Sequence, residues 1–279
     1  MSLPETHPDR KAVARTASLP MYLANRPAVA ALWALLRHAL ATHGIKRLPA
    51  DLTWPEDYHA HWQAPDLLLS QTCGYPLTHA LAGQVQLVGC FSYDAPQCEG
   101  IFCRSVLVAR DEHAHLALEG FRGLRVAFNA PDSQSGYNAL RACVAPLARG
   151  GRFFASALAT GGHSASVAAV RTGQADLAAI DCVTYAALQG YTPQATQGLC
   201  VVGTTGAYPG LPLVTALATP AAQVSLLQHA LHAVVTSPEA KATLAALGIT
   251  GFETPDPKVY QRCVDMRAAA AAAGYPALA

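Results

Sequence analysis

Apolar positions along the chain switch repeatedly between a period of three to four and short unbroken runs. Over residues 28–42, Val29, Leu32, Trp33, Leu36 and Leu40 fall on one face at helical spacing, and Gly44 marks the stop. Short apolar runs bounded by Pro, Gly or Asp predict strands at 17–22, 66–70, 85–88, 105–109, 125–129, 176–181, 199–202 and 211–216. Helical patterns fill 137–148, the stretch from His163 to Gly173, 221–236 and 238–247. The alanine-rich tail at 267–273 reads as helical but loosely packed. Strands alternating with helices predict an α/β architecture with a largely parallel sheet. The order predicts a unit that is left and re-entered. Residues 14–108 form one lobe, 109–204 a second, and 205–279 return to the first, with hinge strands near 106–109 and 202–205.

Two strand–loop–helix units stand out in the second lobe. One carries Asp132-Ser-Gln-Ser-Gly136 between its strand and helix, the other Thr160-Gly-Gly-His-Ser164. A helix start leaves backbone N–H groups unpaired at the positive end of the peptide dipole, so it can hold an oxyanion without Lys or Arg. Ser133, Ser135 and His163 add side-chain donors at the same ends. Gln71, residues 129–135, residues 160–163 and Asp181 all fall at predicted strand carboxyl ends, where ligands of open α/β sheets bind.

Composition narrows the function classes. The 279 residues suffice for two lobes, and charged residues make up 13%, about half the usual ~25%. Lys and Arg form no run or stripe, which speaks against nucleic acid. No apolar stretch reaches the ~20 residues of a membrane span. Residues 1–10 hold no continuous apolar run; a periplasmic location is expected if a leader has been removed, a cytoplasmic one otherwise. Eight cysteines show no Cys-x-x-Cys and no cluster along the sequence, so no metal site and no disulfide framework is expected. The pairs His59/His61 and His113/His115 read as solvated surface.

Asp132-Ser-Gln-Ser-Gly136, the span from Gly161-Gly-His163 through Gly173-Gln-Ala-Asp176 to Ile180-Asp181, and more loosely Asp66-Leu-Leu-Leu-Ser-Gln-Thr-Cys-Gly-Tyr75 carry a resemblance. The tail adds Ser237-Pro-Glu-Ala-Lys241, Leu247-Gly248 and Tyr260. Over roughly residues 16–264 the chain resembles the phosphonate/phosphate-type substrate-binding proteins of ABC transporters, of the type II periplasmic-binding fold. The resemblance implies a monomer of two lobes, each a mostly parallel sheet flanked by helices, and an ABC permease as partner. It implies a phosphoryl-binding loop of Ser133, Gln134, Ser135 and Gly136, with His163 and Asp181 in the cleft and no cofactor. Gln134 stands where a small hydroxyl residue is common in that family. Gln71, Tyr75 and Tyr22 are further cleft candidates.

Other readings remain open at the level of sequence. Ser133 and Ser135 also fit plain helix caps, and Asp181 a capping residue. Ser133, His163 and Asp181 have the residue types of an acyl-transfer triad, but no Gly-x-Ser-x-Gly elbow accompanies them, so no catalytic residue is assigned. The alternatives are a cytosolic enzyme on the same fold, resembling the dehydratase or cyclising type acting on a small anionic metabolite, and a ligand sensor.

Overall fold

The computed structural model describes residues 15–279. The leader reading at residues 1–10 and the start of the first lobe at residue 14 lie outside them. The chain begins with β1 (Thr16–Ser18), α1 (Arg26–Thr42), α2 (Tyr58–Trp62), β2 (Leu67–Gln71), α3 (Gly74–Thr78) and β3 (Val85–Tyr93). Two short strands, β4 (Cys98–Glu99) and β5 (Phe102–Cys103), precede β6 (Ser105–Arg110) and β7 (Arg125–Phe128). Next come α4 (Ala139–Val144), β8 (Ser156–Ala159), α5 (His163–Arg171), β9 (Leu177–Asp181), α6 (Cys182–Tyr191) and β10 (Leu199–Thr204). The chain closes with β11 (Tyr208–Pro209), β12 (Pro212–Ala216), α7 (Ala221–Thr236), α8 (Lys241–Leu247), β13 (Ile249–Glu253) and α9 (Gln261–Ala272).

One five-stranded sheet has the order β1-β2-β12-β3-β13, a second β10-β6-β9-β7-β8, and a small third sheet joins β11, β5 and β4. Strand directions are mixed, where mostly parallel sheets are expected from sequence. In the first sheet only β1 and β2 pair in parallel, while β12 and β13 run against their neighbours. In the second, β7 is parallel to both β8 and β9, but β6 is antiparallel to β9 and β10. The reason is topological. The strands that lead into a sheet from the other one, β6 in the second and β12 in the first, run against the strands they join, and β13 takes the direction of β12.

Helix α1 buries Val29, Leu32, Trp33, Leu36 and Leu40, the five residues of its predicted face. It starts at Arg26, earlier than the pattern indicates, because the Asn25 side chain accepts the Ala28 N–H at 3.1 Å and Pro27 sits in the first turn. The tail departs from expectation. Ala270, Tyr275 and Leu278 are buried with Phe121, Phe128, Leu140 and Phe153, in the core of the second sheet. The Ala279 carbonyl accepts from both the Phe153 and Phe154 N–H groups. The end of the chain is therefore tightly packed, and on the second unit. An alanine stripe buries little by itself; the aromatic and leucine beyond it do the anchoring.

Candidate functional site

The helix predicted after the serine loop opens irregularly. A π-helical turn, Gln134–Asn138, precedes α4, and such turns recur at functional sites. Ser133 caps it, its hydroxyl oxygen accepting the Gly136 N–H at 3.0 Å and lying 3.4 Å from Ser135 Oγ. Ser135 Oγ is 2.8 Å from His163 Nε2 at the start of α5. Ser133, Ser135 and Gly136 are buried, and the two helix starts thus meet. Burial holds the His163 imidazole down at about 4, so it is neutral at pH 7 and carries one donor and one acceptor. Its Nδ1, and nearby Asn129 Oδ1, are buried without hydrogen-bond partners. Gly136 lets the Asn129 side chain approach closely here, since a Cβ on it would lie 2.0 Å from Asn129 Oδ1.

A second group gathers around Asp181. Its Oδ1 caps α6 by accepting the Thr184 N–H at 2.9 Å, and its Oδ2 accepts the Tyr22 hydroxyl at 3.4 Å. Burial, assisted by the neighbouring Cys182, pushes its carboxyl up to about 7. Tyr22 packs edge-on against Tyr93, whose hydroxyl accepts from Gln71 Nε2 at 3.3 Å. Burial first, then Asp181, raises the Tyr22 hydroxyl well above its ordinary range, so it remains a donor. Ser105 connects the groups. It sits opposite Asp181 in the β6–β9 register, donates to the Ser135 carbonyl at 2.9 Å and contacts the Tyr208 hydroxyl at 2.7 Å.

The structure therefore brings Ser133, Ser135, Gly136 and His163 into one cluster, and Tyr22, Asp181 and Gln71 into a second beside it. Gln134 is buried, but its side-chain carbonyl accepts from Asn138 and its amide donates to Met266 Sδ, so its side chain is engaged against α9. Tyr75 stacks on His79 with ring centres 4.0 Å apart. His59 is not simply solvated: it lies 2.8 Å from Asp132 at the edge of the serine loop. His61 is buried, with Nε2 unpaired. Ser105, Tyr208 and Tyr93 escape sequence reasoning. Tyr93 lies at the carboxyl end of β3, beyond where the apolar run stops, Ser105 is the polar first residue of a strand predicted for its apolar run, and Tyr208 comes from a two-residue strand without a motif.

Cysteines that show no cluster along the sequence do gather in space. Cys98, Cys103 and Cys182 place all three sulfurs within 4.8 Å of one another. Spacing along the chain could not reveal this, because two come from facing strands and the third from a helix start in the other unit.

A family model described as ABC transporter, phosphonate, periplasmic substrate-binding protein matches residues 66–260. No curated protein matches the chain in sequence. Among solved structures, the binding-protein component of an ABC phosphonate transporter from Pseudomonas aeruginosa is similar at 17% identity. The match has a TM-score of 0.73 and covers 93% of this chain and 88% of that one. PhnD1 from Prochlorococcus marinus in complex with methylphosphonate is 16% identical, with TM-score 0.70 and coverage of 90% and 96%. XAC2383 from Xanthomonas citri bound to ATP is 16% identical, with TM-score 0.70 and coverage of 94% and 98%. At such identities these structures establish the type II periplasmic-binding fold. The family match spans most of the chain, and the protein belongs to the periplasmic phosphonate substrate-binding proteins of ABC transporters.

Proposed function

We propose that the protein captures a small phosphonate or phosphate monoanion between two lobes, residues 14–108 plus 205–279 and residues 109–204, and delivers it to an ABC permease from the periplasm. The end of the chain reaches across from the first lobe to brace the second. The observation that carries this reading is the serine cluster. Ser133, Ser135 and the start of α5 at His163 converge at a π-helical turn, a donor set that holds an oxyanion without a formal positive charge. Asp181 supports a ligand that keeps a proton. With its carboxyl held near 7 it can exchange a hydrogen bond with a protonated phosphoryl oxygen, whereas sulfate offers no proton. Tyr22, hydrogen-bonded to Asp181, and Gln71, hydrogen-bonded to Tyr93, complete the proposed ligand surroundings.

Calorimetry and thermal shift with methylphosphonate, phosphate, sulfate and a dicarboxylate test this reading. At ~100 times its dissociation constant a ligand adds ~2.7 kcal/mol, which for a chain of this size moves the unfolding midpoint by several degrees. Stabilisation by the phosphorus oxyanions is expected. Stabilisation by the dicarboxylate alone would refute it.

A further inference from the structure

Three thiols from separate parts of the chain meet beside the Asp181 group. Cys98 in β4 faces Cys103 in β5 across the antiparallel register, with sulfurs 2.9 Å apart. Cys182, the first residue of α6, brings its sulfur within 3.4 Å of Cys98. Cys103 and Cys182 are buried and Cys98 partly so. Buried cysteines usually serve as small hydrophobes, but that role gives no reason for three sulfurs to lie within 4.8 Å of one another. Thiolates are soft ligands that select soft cations.

We propose that Cys98, Cys103 and Cys182 form a binding site for one thiophilic cation of the Zn2+ or Cu+ type. Its ligands come from both sides of the molecule: Cys98 and Cys103 from the small sheet that precedes the crossing strand β6, and Cys182 from the end of β9. With metal–sulfur bonds of about 2.3 Å, three sulfurs around one ion stand about 3.8 Å apart. The observed spacings reach that by small side-chain rotations. No fourth His, Cys, Asp or Glu among the described residues joins the group, so the site is trigonal or keeps one open position. Coordination requires deprotonated sulfurs, and three sulfurs already within 4.8 Å of one another can each give up a proton as one ion binds between them. A Cys98–Cys103 disulfide is the competing fate in an oxidising compartment. It would engage two of the sulfurs and leave the approach of Cys182 without a purpose. The site is separate from the serine cluster and does not rest on the phosphonate reading.

Full-length protein, reduced and kept anaerobic, is titrated with Cd2+ while thiolate-to-metal charge-transfer absorption is read, and Zn2+ is then added as competitor. One saturating equivalent is expected, displaced by Zn2+. Cys98→Ser, Cys103→Ser and Cys182→Ser should each weaken binding by at least about tenfold, the lower end of what even a supporting residue of a metal site costs. Cys143→Ser, on α4, should not change it. Circular dichroism confirms that each variant is folded. Should one fail to fold, alkylation of the native protein replaces it: bound Cd2+ should protect Cys182 as well as Cys98 and Cys103. The proposal is overturned if Cd2+ does not saturate at one equivalent, or if binding ignores Cys182. It is equally overturned if the isolated protein shows two fewer free thiols than its eight cysteines through a Cys98–Cys103 bridge and takes up no metal after reduction.

Discussion

At the scale of single residues, the site balances two groups whose protonation is displaced in opposite directions. Asp181 is held up at about 7 against an ordinary 3.8, so between those values the folded chain binds a proton that the unfolded chain has released. Its contribution to stability therefore falls as pH rises through that window. His163, held down at about 4 against an ordinary 6.5, does the reverse: the unfolded chain carries the extra proton, and stability rises with pH across its window. The two slopes largely cancel between pH 4 and 6.5. Asp181→Asn removes one of them, so the variant should gain about 2 kcal/mol over that range while the parent stays nearly flat, read from urea midpoints at several pH values. A parallel pair of profiles would show that Asp181 titrates as it does in the unfolded chain. Ser135 gives a simpler expectation. On the proposed function its hydroxyl donates to a charged ligand, a hydrogen bond worth ~1.5–3 kcal/mol, so Ser135→Ala should weaken methylphosphonate binding about 10- to 100-fold by calorimetry. An unchanged dissociation constant would reduce the serine to a cap.

At the scale of elements, what was legible in the sequence depended on whether one element carried its own signal. The face of α1 and the limits of α7, Ala221–Thr236, follow from apolar spacing because each helix buries one stripe against a sheet. Strand β8, Ser156–Ala159, has every residue exposed and no β-branched residue, so nothing local marks it; it exists because it pairs with β7 at the sheet edge. Strand β13 escapes because Thr250 and Gly251 break its apolar run, and its pairing with β3 supplies what the pattern lacks. The serine loop was readable as a helix start, but the π-helical turn was not. Its geometry is set by Ser105 on a distant strand holding the Ser135 carbonyl and by Asn129 packed over Gly136. Gly136→Ala tests that packing. The added carbon would meet Asn129 Oδ1 at 2.0 Å, so either the Asn129 side chain or the turn must shift. Overpacking of this kind costs about 1–3 kcal/mol, and methylphosphonate affinity should fall with stability. Asp176 anchors the neighbouring elements, accepting from Arg125 Nε and NH2 at 2.9 and 2.8 Å and from Arg110 at 3.0 Å. These partners hold its carboxyl far below the usual range. Asp176→Ala should cost about 2 kcal/mol at neutral pH, less than a fully buried pair because Arg125 is half exposed. The deficit should shrink as acid protonates the parent's carboxyl.

At the scale of the whole molecule, the two sheets are joined by crossing strands whose feet are tied together. Thr205 N–H donates to the Ser105 carbonyl, Ser105 N–H to Thr205 Oγ1, and the Arg104 guanidinium to the Thr205 carbonyl. Above that junction β6 and β10 are paired from Val106–Thr204 to Arg110–Leu199. A bend of one lobe against the other is therefore expected at residues 104–105 and 204–206, a few residues earlier in β6 than the sequence implies. Besides the end of the chain, which is packed in the core of the second lobe, the lobes meet through weak contacts such as Tyr22 to Asp181 at 3.4 Å, the Gln134 N–H to Cys73 Sγ at 3.2 Å, and the half-exposed His59–Asp132 pair. A half-exposed pair of this kind contributes at most about 1 kcal/mol, so these three contacts alone do not hold a cleft shut, and on the proposed reading a ligand bridging the two clusters supplies the difference. Small-angle scattering should then show a larger radius of gyration for the free protein and a smaller one at saturating methylphosphonate. Asp132→Ala, which removes the His59 contact, should lower affinity by less than about fivefold and leave the saturated curve unchanged. Identical curves with and without tightly bound methylphosphonate would mean the junction is rigid, and the site would then have to admit its ligand by loop motion around the serines.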